Sequence, residues 1–545
     1  MTFRRVAVAA GALVERRPTL CASLLLLALL ALSSVDAYDN TLTYDEPVHL
    51  AFGAKLLDGG LEHADSQRMP ISVLNALPQR ALRSMGVAVS PRTGVWLSRL
   101  PTVIGSALLG WFIFGWSRRL YGPRGGLLSL FLFAFCPTSL AHGSLATTDM
   151  YGALFAFLAV LTFTSFMKIR SWPSLLVAAA IMGVAQLAKQ TALLLFPVLL
   201  MALSLRHIAN RRARRADYRP ERGAVMLRGA LQALAYFAIV LGTVNAGYGF
   251  KGTFETLDTH QRWLESDQGL TRAVPRGAGL ARRLNAALGQ APLPLPRVYV
   301  ETFLVGQYYN DTGRGHGPIY LLGNLSQLGW RAYFPVAFVL KTPLPTLGLI
   351  LLAVFVSLRT GRARLDSDEL LILCSAAVLL GYFSLFCTAQ IGIRYLLPVL
   401  PFLYVLAGQC GSWSPPVGRG YWRACLVTIL LWLPISVLSY LPHHISYFNE
   451  VCWNRLHLYQ YLADSNLDWG QDGYALDRYL ELHKGQAIAV NPANPTTGTV
   501  VVAVNSLVGV TGSPHTFQWL RDNYLPTARA AYSWLVYEIP PSAPR

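Results

Sequence analysis

About eleven long apolar runs punctuate this 545-residue chain, and they restrict its fold more than any motif does. They fall near 18–36, 95–117, 125–141, 149–167, 173–189, 190–206, 228–248, 335–358, 369–387, 395–410 and 421–441. A bilayer core takes about 20 mostly apolar residues per helix. Hydrocarbon offers no partner to a backbone N–H or C=O, so such runs span as helices. The expectation is an all-α polytopic membrane protein with about eleven transmembrane helices; the 173–206 region can be divided in more than one way. Arg4, Arg5, Arg16 and Arg17 precede the first run as they would in a signal peptide. No small-x-small site leading into a soluble domain follows, so the run is read as a retained helix.

Charge sets the orientation. The chain is 53% apolar and 14% charged, against about 25% charged in soluble domains. Its formal charge of +18 raises nucleic acid as a partner. The basic residues instead collect in every second connection: "RRLYGPR" at 118–124, "KIR" at 168–170, 206–228, "RTGRAR" at 359–364 and "GRGYWR" at 418–423. That alternation is the positive-inside pattern, which places the N-terminus in the cytoplasm and removes the case for nucleic acid. The excess of Arg over Lys hints at a GC-rich bacterial genome; the expected location is a bacterial inner (plasma) membrane. Cys21, Cys136, Cys374, Cys387 and Cys425 lie in apolar runs with no CxxC pair, and read as small apolar fillers.

On this topology loops 37–94 and 249–334, a turn near 142–148 and everything after about 442 are extracytoplasmic. The two long loops exceed ordinary connections, which points to work beyond linkage. Within the second, Trp263, Leu264 and Leu270 among charges suggest an amphipathic helix along the interface. The tail combines helix-like "DRYLELH" with β-rich "TVVVAVNSLVGV". It reads as a small C-terminal α/β domain, 445–545, beside a membrane domain, 1–444.

Ionisable residues within or beside apolar runs are costly without a partner or a task. Here they are Asp45, Glu46, His49, Arg99, His142, Asp149, Lys189, Lys341 and Arg394. All nine fall at the extracytoplasmic ends of the runs. Cations there suit a phosphate, with Arg offering a two-pronged fork; a nearby carboxylate suits a general base. Together they suggest a site for a lipid phosphate carrying a sugar. No GxxxxGK[ST] loop is present. Each residue also has a plainer reading. An Asp-Glu pair in a loop is commonly solvated. Lys341 and Arg394 can snorkel to headgroups, Asp149 can cap its helix, and His142 can be structural. Asp45, Glu46 and His49 could alternatively hold a metal, since Asp45 and His49 share a helical face.

The motifs "YDEPVHLAFG", "DSQRMPIS", "RLPTVIG", "AHGSLATTDMYGALF", "GVAQLAKQTALLLFP", "LKTPLP" and "GIRYLLPVLPFL", in this order, resemble glycosyltransferase family 39. These are GT-C enzymes such as protein O-mannosyltransferases and the lipid A aminoarabinose transferase. The tail "HHISYFNEVCWN…LADSNLDWGQDGYALDRYLE" is similar to a C-terminal stretch of many bacterial members. The resemblance implies inverting transfer of a monosaccharide from a polyprenyl-phosphate donor on the extracytoplasmic face. It implies Asp45 as catalytic base, Glu46 as its orienting neighbour and Arg99 as a phosphate ligand. His142, Asp149, Lys189, Lys341 and Arg394 are read beside these as candidate further contacts to the phosphate or sugar. A phosphate is already a good leaving group, so neither metal nor other cofactor is required. The chain lacks the long lumenal insertion of protein O-mannosyltransferases, which leaves the acceptor open: protein, lipid or glycan. The competing reading is a flippase or exporter of a lipid-linked sugar, which would place charges at mid-depth and show inverted repeats; neither is visible.

Overall fold

The computed structural model describes residues 13–64, 68–213, 222–266, 289–313, 316–361, 367–413 and 419–541. The chain is mostly helical, with two small sheets. Among the described residues six helices are long and apolar enough to cross a membrane: Pro18–Asp39, Pro91–Ala134, Asp149–Ile169, Met226–Gly247, Asp368–Phe386 and Gly420–Leu438. A bent pair, Tyr333–Lys341 and Leu344–Arg359, makes a seventh if it counts as one span. Their outward faces expose large apolar side chains such as Leu24, Leu27, Leu351, Phe355 and Ile435, as lipid-facing helices do. The chain is an integral membrane protein.

The remaining apolar runs are also helical, in forms that the sequence did not disclose. Helix Pro91–Ala134 is two antiparallel arms joined at Gly122, where φ is 76° and ψ is −176°. Only glycine adopts that backbone without strain, and Pro123 restarts the helix. Behind the turn Gly126 lies so close to Phe114 and Arg118 that a Cβ there would stand 2.7 Å from the Arg118 Cβ. Ser129 Oγ donates to Ser117 Oγ at 2.7 Å between the arms. The runs 95–117 and 125–141 are these two arms, the second ending in helix Pro137–Gly143. Run 335–358 breaks by 116° at Thr342–Pro343. Asn449 Nδ2 donates to the carbonyls of Val339 and Thr342 that the break releases, at 2.5 and 2.9 Å. Run 395–410 is divided among the end of the 3-10 turn Ile393–Leu396, helix Leu400–Ala407 and the start of the short helix Gln409–Ser412, almost wholly buried among the other helices.

The bundle has two distinct ends. At one end Asp368 accepts from Lys168 Nζ at 2.6 Å, Trp116 Nε1 at 3.2 Å and Arg119 Nη2 at 3.4 Å. Connections 118–124 and 168–170 therefore share a side, as their basic composition implies. At the other end lie loop 37–94, the described parts of 249–334, and the tail. Helix Leu257–Ser266 realises part of the expected amphipathic segment. Trp263 and Leu264 are buried against Phe52, Leu61 and Tyr299 and so face protein instead of an interface; Leu270 lies outside the described residues.

The tail begins as irregular chain threaded into the bundle end. His444 Nδ1 meets Asp36 Oδ2 of the first helix at 2.6 Å, and Asn40 Nδ2 donates to Pro442 O at 3.0 Å. Residues 468–473 then run beside loop 41–44: Tyr44 N donates to Trp469 O at 3.0 Å and Thr41 N to Gln471 O at 2.9 Å. Helix Gly473–Leu482 and a four-stranded sheet follow. Its strands are β1 (Ile488–Val490), β2 (Gly498–Ala503), β3 (Ala528–Arg529) and β4 (Trp534–Ile539). The order is β1-β2-β4-β3, with β1 and β2 parallel and the other pairs antiparallel.

Candidate functional site

A cavity of about 1410 Å³ opens at the end of the bundle where loop 37–94 and the tail meet. Of the nine ionisable residues singled out in the sequence, Asp45, His49, Asp149, Lys189 and Arg394 line it. Asp45 immediately precedes helix Glu46–Leu57, whose Pro47 suits a first helical turn. Its carboxylate does not cap that helix. Oδ2 instead accepts from Arg394 Nη1 at 2.7 Å, and Oδ1 stands 3.7 Å from Arg68 Nη2. Arg394 Nη1 is also 3.8 Å from Asp149 Oδ2, and the other Asp149 oxygen pairs with Lys189 Nζ. Asp149 thus does not cap its helix by the side chain; Thr148 holds the N-cap position. Lys189 ends helix Trp172–Ala188 in extended backbone, which turns its ammonium toward Asp149. The result is an alternating chain of charges, Arg68, Asp45, Arg394, Asp149, Lys189, contributed by five separate stretches of sequence.

Burial pushes the Asp45 carboxyl up, but Arg394 and then Arg68 outweigh it and hold Asp45 below the usual carboxylate range. It is ionised at neutral pH. Burial, followed by Arg68, lowers the His49 imidazole to about 4, and burial lowers His316 to about 4. Both are neutral. His49 Nδ1 sits 3.3 Å from Ser72 Oγ, because helix Glu46–Leu57 packs on the 70–72 turn through Gly53.

Four residues of the sequence reading lie away from the cavity wall. Glu46 and Arg99 are fully buried and spent on each other. Arg99 Nε and Nη2 donate to Glu46 Oε1 and Oε2 at 2.8 and 2.6 Å. Its other N–H groups go to the carbonyls of Ala37, Asn40 and Thr41 at 2.7–2.8 Å. All five guanidinium hydrogens are thereby engaged. Glu46 further accepts from the backbone of Thr43 and Ala146, each at 2.8 Å. Burial raises its carboxyl, but Arg99 and these hydrogen bonds carry it below the usual range. The sequence reading gave Arg99 a phosphate contact and Glu46 an orienting role; in this structure the pair joins loop 41–46 to the 91–121 arm and the 144–148 turn. Lys341 donates to Ile445 O at 2.8 Å and Asn466 O at 2.5 Å and lies over the Phe448 ring, so it anchors the tail. His142 is buried beside Trp469, with ring centroids 5.8 Å apart. The alternative metal set also comes apart. Glu46 points away with Arg99, and among the described residues no cluster of three His, Cys, Asp or Glu suits a metal ion.

Sequence reasoning passed over Arg68, His316, Asp464, Asp468, Trp469 and Asn505, all at the cavity. Arg394 stacks over Trp469, 4.1 Å from the ring centroid. Arg68 was present in "DSQRMPIS" and the two aspartates in "LADSNLDWG". Nothing in the spacing brings positions near 466 to positions near 45.

A family model described as dolichyl-phosphate-mannose-protein mannosyltransferase matches residues 84–241. That stretch contains Arg99, His142, Asp149 and Lys189. No curated protein matches the chain. Among solved structures the chain is similar to ArnT from Cupriavidus metallidurans bound to undecaprenyl phosphate. Identity is 14% and the TM-score 0.44, over 96% of this chain and 99% of that one. The same protein in the apo state gives 14% and 0.44, over 94% and 97%. It is also similar to AglB from Archaeoglobus fulgidus in complex with an inhibitory peptide and a dolichol-phosphate. There identity is 12% and the TM-score 0.40, over 77% of this chain and 55% of that one.

Proposed function

We propose that this protein is a membrane glycosyltransferase that moves a monosaccharide from a polyprenyl-phosphate donor to an acceptor at the extracytoplasmic face, with inversion. The observation that supports this most is the Arg68–Asp45–Arg394–Asp149–Lys189 array on one cavity at a helix-end level of the bundle. The family match over 84–241 points the same way. The donor's lipid tail stays in the bilayer and its phosphate meets Arg394, Arg68 and Lys189. Asp45 faces the sugar from the acceptor side. The acceptor oxygen forms a bond to the anomeric carbon as the bond from that carbon to the phosphate oxygen breaks. The acceptor proton passes to Asp45, and the leaving electron pair stays on the phosphate, whose charge the cations stabilise. Paired with Arg394, Asp45 is a weak base. A phosphate competing for the guanidinium loosens the 2.7 Å contact and raises the basicity of Asp45 only when donor is present.

The test incubates wild-type and Asp45→Asn protein in membranes with a panel of polyprenyl-phosphate sugars and follows product by mass spectrometry. The wild type yields a new glycosidic product, and the variant loses about 10²–10⁴-fold in rate with unchanged membrane insertion. Normal transfer by the variant removes Asp45 as base. Movement of labelled lipid across the membrane with no new glycosidic bond replaces the transferase reading with a flippase.

A further inference from the structure

We infer that Asp464 is a substrate-contacting residue of this cavity: the carboxylate oxygen left unused by the protein binds a hydroxyl of the transferred sugar. The inference rests on the transferase reading above and adds to it a residue from the tail, about 420 positions from the proposed base.

Asp464 opens the short 3-10 turn Asp464–Asn466 and has φ of +55°, a left-handed backbone that Asp tolerates better than most residues. The turn is fixed to the segment that carries Arg394. Ser465 Oγ donates to Ile391 O, and Ile393 N donates to Asn466 Oδ1 at 2.9 Å. Lys341 holds Asn466 O from behind. Asn505 Oδ1 accepts the Asp464 N–H at 2.8 Å, while the Asn505 side-chain amide donates to Asp468 O at 2.7 Å. The backbone of Asp464 is therefore held from several sides, and the residue lines the cavity.

Its neighbour Asp468 is occupied: Oδ1 accepts from Gly470 N at 3.1 Å and Oδ2 from Asn505 N at 3.2 Å. Asp464 is not. Oδ1 accepts the Ser465 N–H at 2.5 Å, and no described residue hydrogen-bonds the other oxygen or forms a salt bridge with the group. A position that needed only left-handed backbone and one acceptor would be served by Asn or Gly. A carboxyl set near Asp45 and Asp468 costs folding free energy that its own contacts do not return. Burial, against the opposing pull of Arg394, pushes this carboxyl up to about 7. Near neutrality it can thus accept or donate a hydrogen bond, which suits a hydroxyl better than a cation or a phosphate. Beside it Arg394 is more than nine-tenths buried, and its Nε has no hydrogen-bond partner within the protein.

The test uses purified full-length protein in nanodiscs. Binding of undecaprenyl phosphate is compared with binding of undecaprenyl phosphate carrying glucose, galactose, mannose or aminoarabinose. The wild type prefers one sugar-bearing lipid over bare undecaprenyl phosphate. Asp464→Gly keeps the backbone relaxed at this φ. It reduces that preference about ten-fold, the factor for one lost hydrogen bond to an ionisable group, with affinity for undecaprenyl phosphate unchanged. Asp464→Asn retains part of the preference. An unchanged preference in Asp464→Gly overturns the inference, as does an equal loss for both lipids, which marks a structural role. A wild type that binds none of these lipids overturns the transferase reading itself, whatever the variant does.

Discussion

Replacing Glu46 by Gln separates a structural pair from a ligand-binding one. Glu46 and Arg99 have side chains with no exposure, joined by two hydrogen bonds at 2.6 and 2.8 Å. Glu46→Gln keeps the shape but removes the negative charge, and leaves the Arg99 guanidinium in a dry interior facing only carbonyl oxygens. Removing one partner of such a pair costs about 3–5 kcal/mol. The loss reaches three places at once, because Glu46 also accepts from Thr43 and Ala146. The prediction is a lowered unfolding midpoint in detergent, followed by intrinsic fluorescence or by recovery of monodisperse protein after heating. The double variant Glu46→Gln with Arg99→Met, which leaves no orphaned charge, recovers a substantial part of the loss. The opposite outcome is just as specific. A Glu46→Gln protein with wild-type stability and only a weakened affinity for undecaprenyl phosphate would show that Arg99 serves a ligand, and the argument from its five engaged hydrogens would fail.

Three further outcomes follow from the geometry. Lys341→Met leaves the carbonyls of Ile445 and Asn466 without their donor, at about 1–3 kcal/mol for each buried acceptor, and speeds limited proteolysis within 443–472. Gly122→Ala places a side chain at φ 76°, ψ −176°, costs about 1–3 kcal/mol, and lowers the thermal midpoint without altering lipid affinity. Burial raises Asp464 to about 7 and Asp468 to about 6, above their ordinary value of 3.8. The folded state therefore holds protons more tightly than the unfolded chain. Their contribution to stability is complete below about pH 4 and disappears as pH rises through 6 to 7. A midpoint measured from pH 5 to 8 declines more steeply in the wild type than in Asp464→Asn; parallel profiles would refute the assignment.

Much of the fold was legible because membrane insertion is governed by local composition. An apolar run long enough to span becomes helix wherever it lies, and basic connections such as 118–124 and 168–170 share a side. Breaks within runs were less visible. The reversal at Gly122 and the 116° bend at Thr342 depend on what packs behind them, namely Gly126 against Phe114 and Asn449 against two released carbonyls.

The same division holds at the site. The sequence alone was enough to gather charged residues at one level of the bundle, since an ionisable group beside an apolar run sits at its end or needs a partner. It could not say which of these charges neutralise one another within the protein and which face a cavity. Arg99 and Arg394 look alike as isolated arginines beside apolar runs. One has every hydrogen engaged by Glu46 and three carbonyls; the other lies between Asp45 and Asp149 on an open wall. Nor could the sequence bring Asp464 and Trp469 to Asp45 and Arg394, for that proximity comes from the tail pairing with loop 41–44. Partition into lipid is decided segment by segment, so the chain's linear order contains it. Pairing of buried charges depends on distances of a few ångströms between distant segments, and only the tertiary structure decides those.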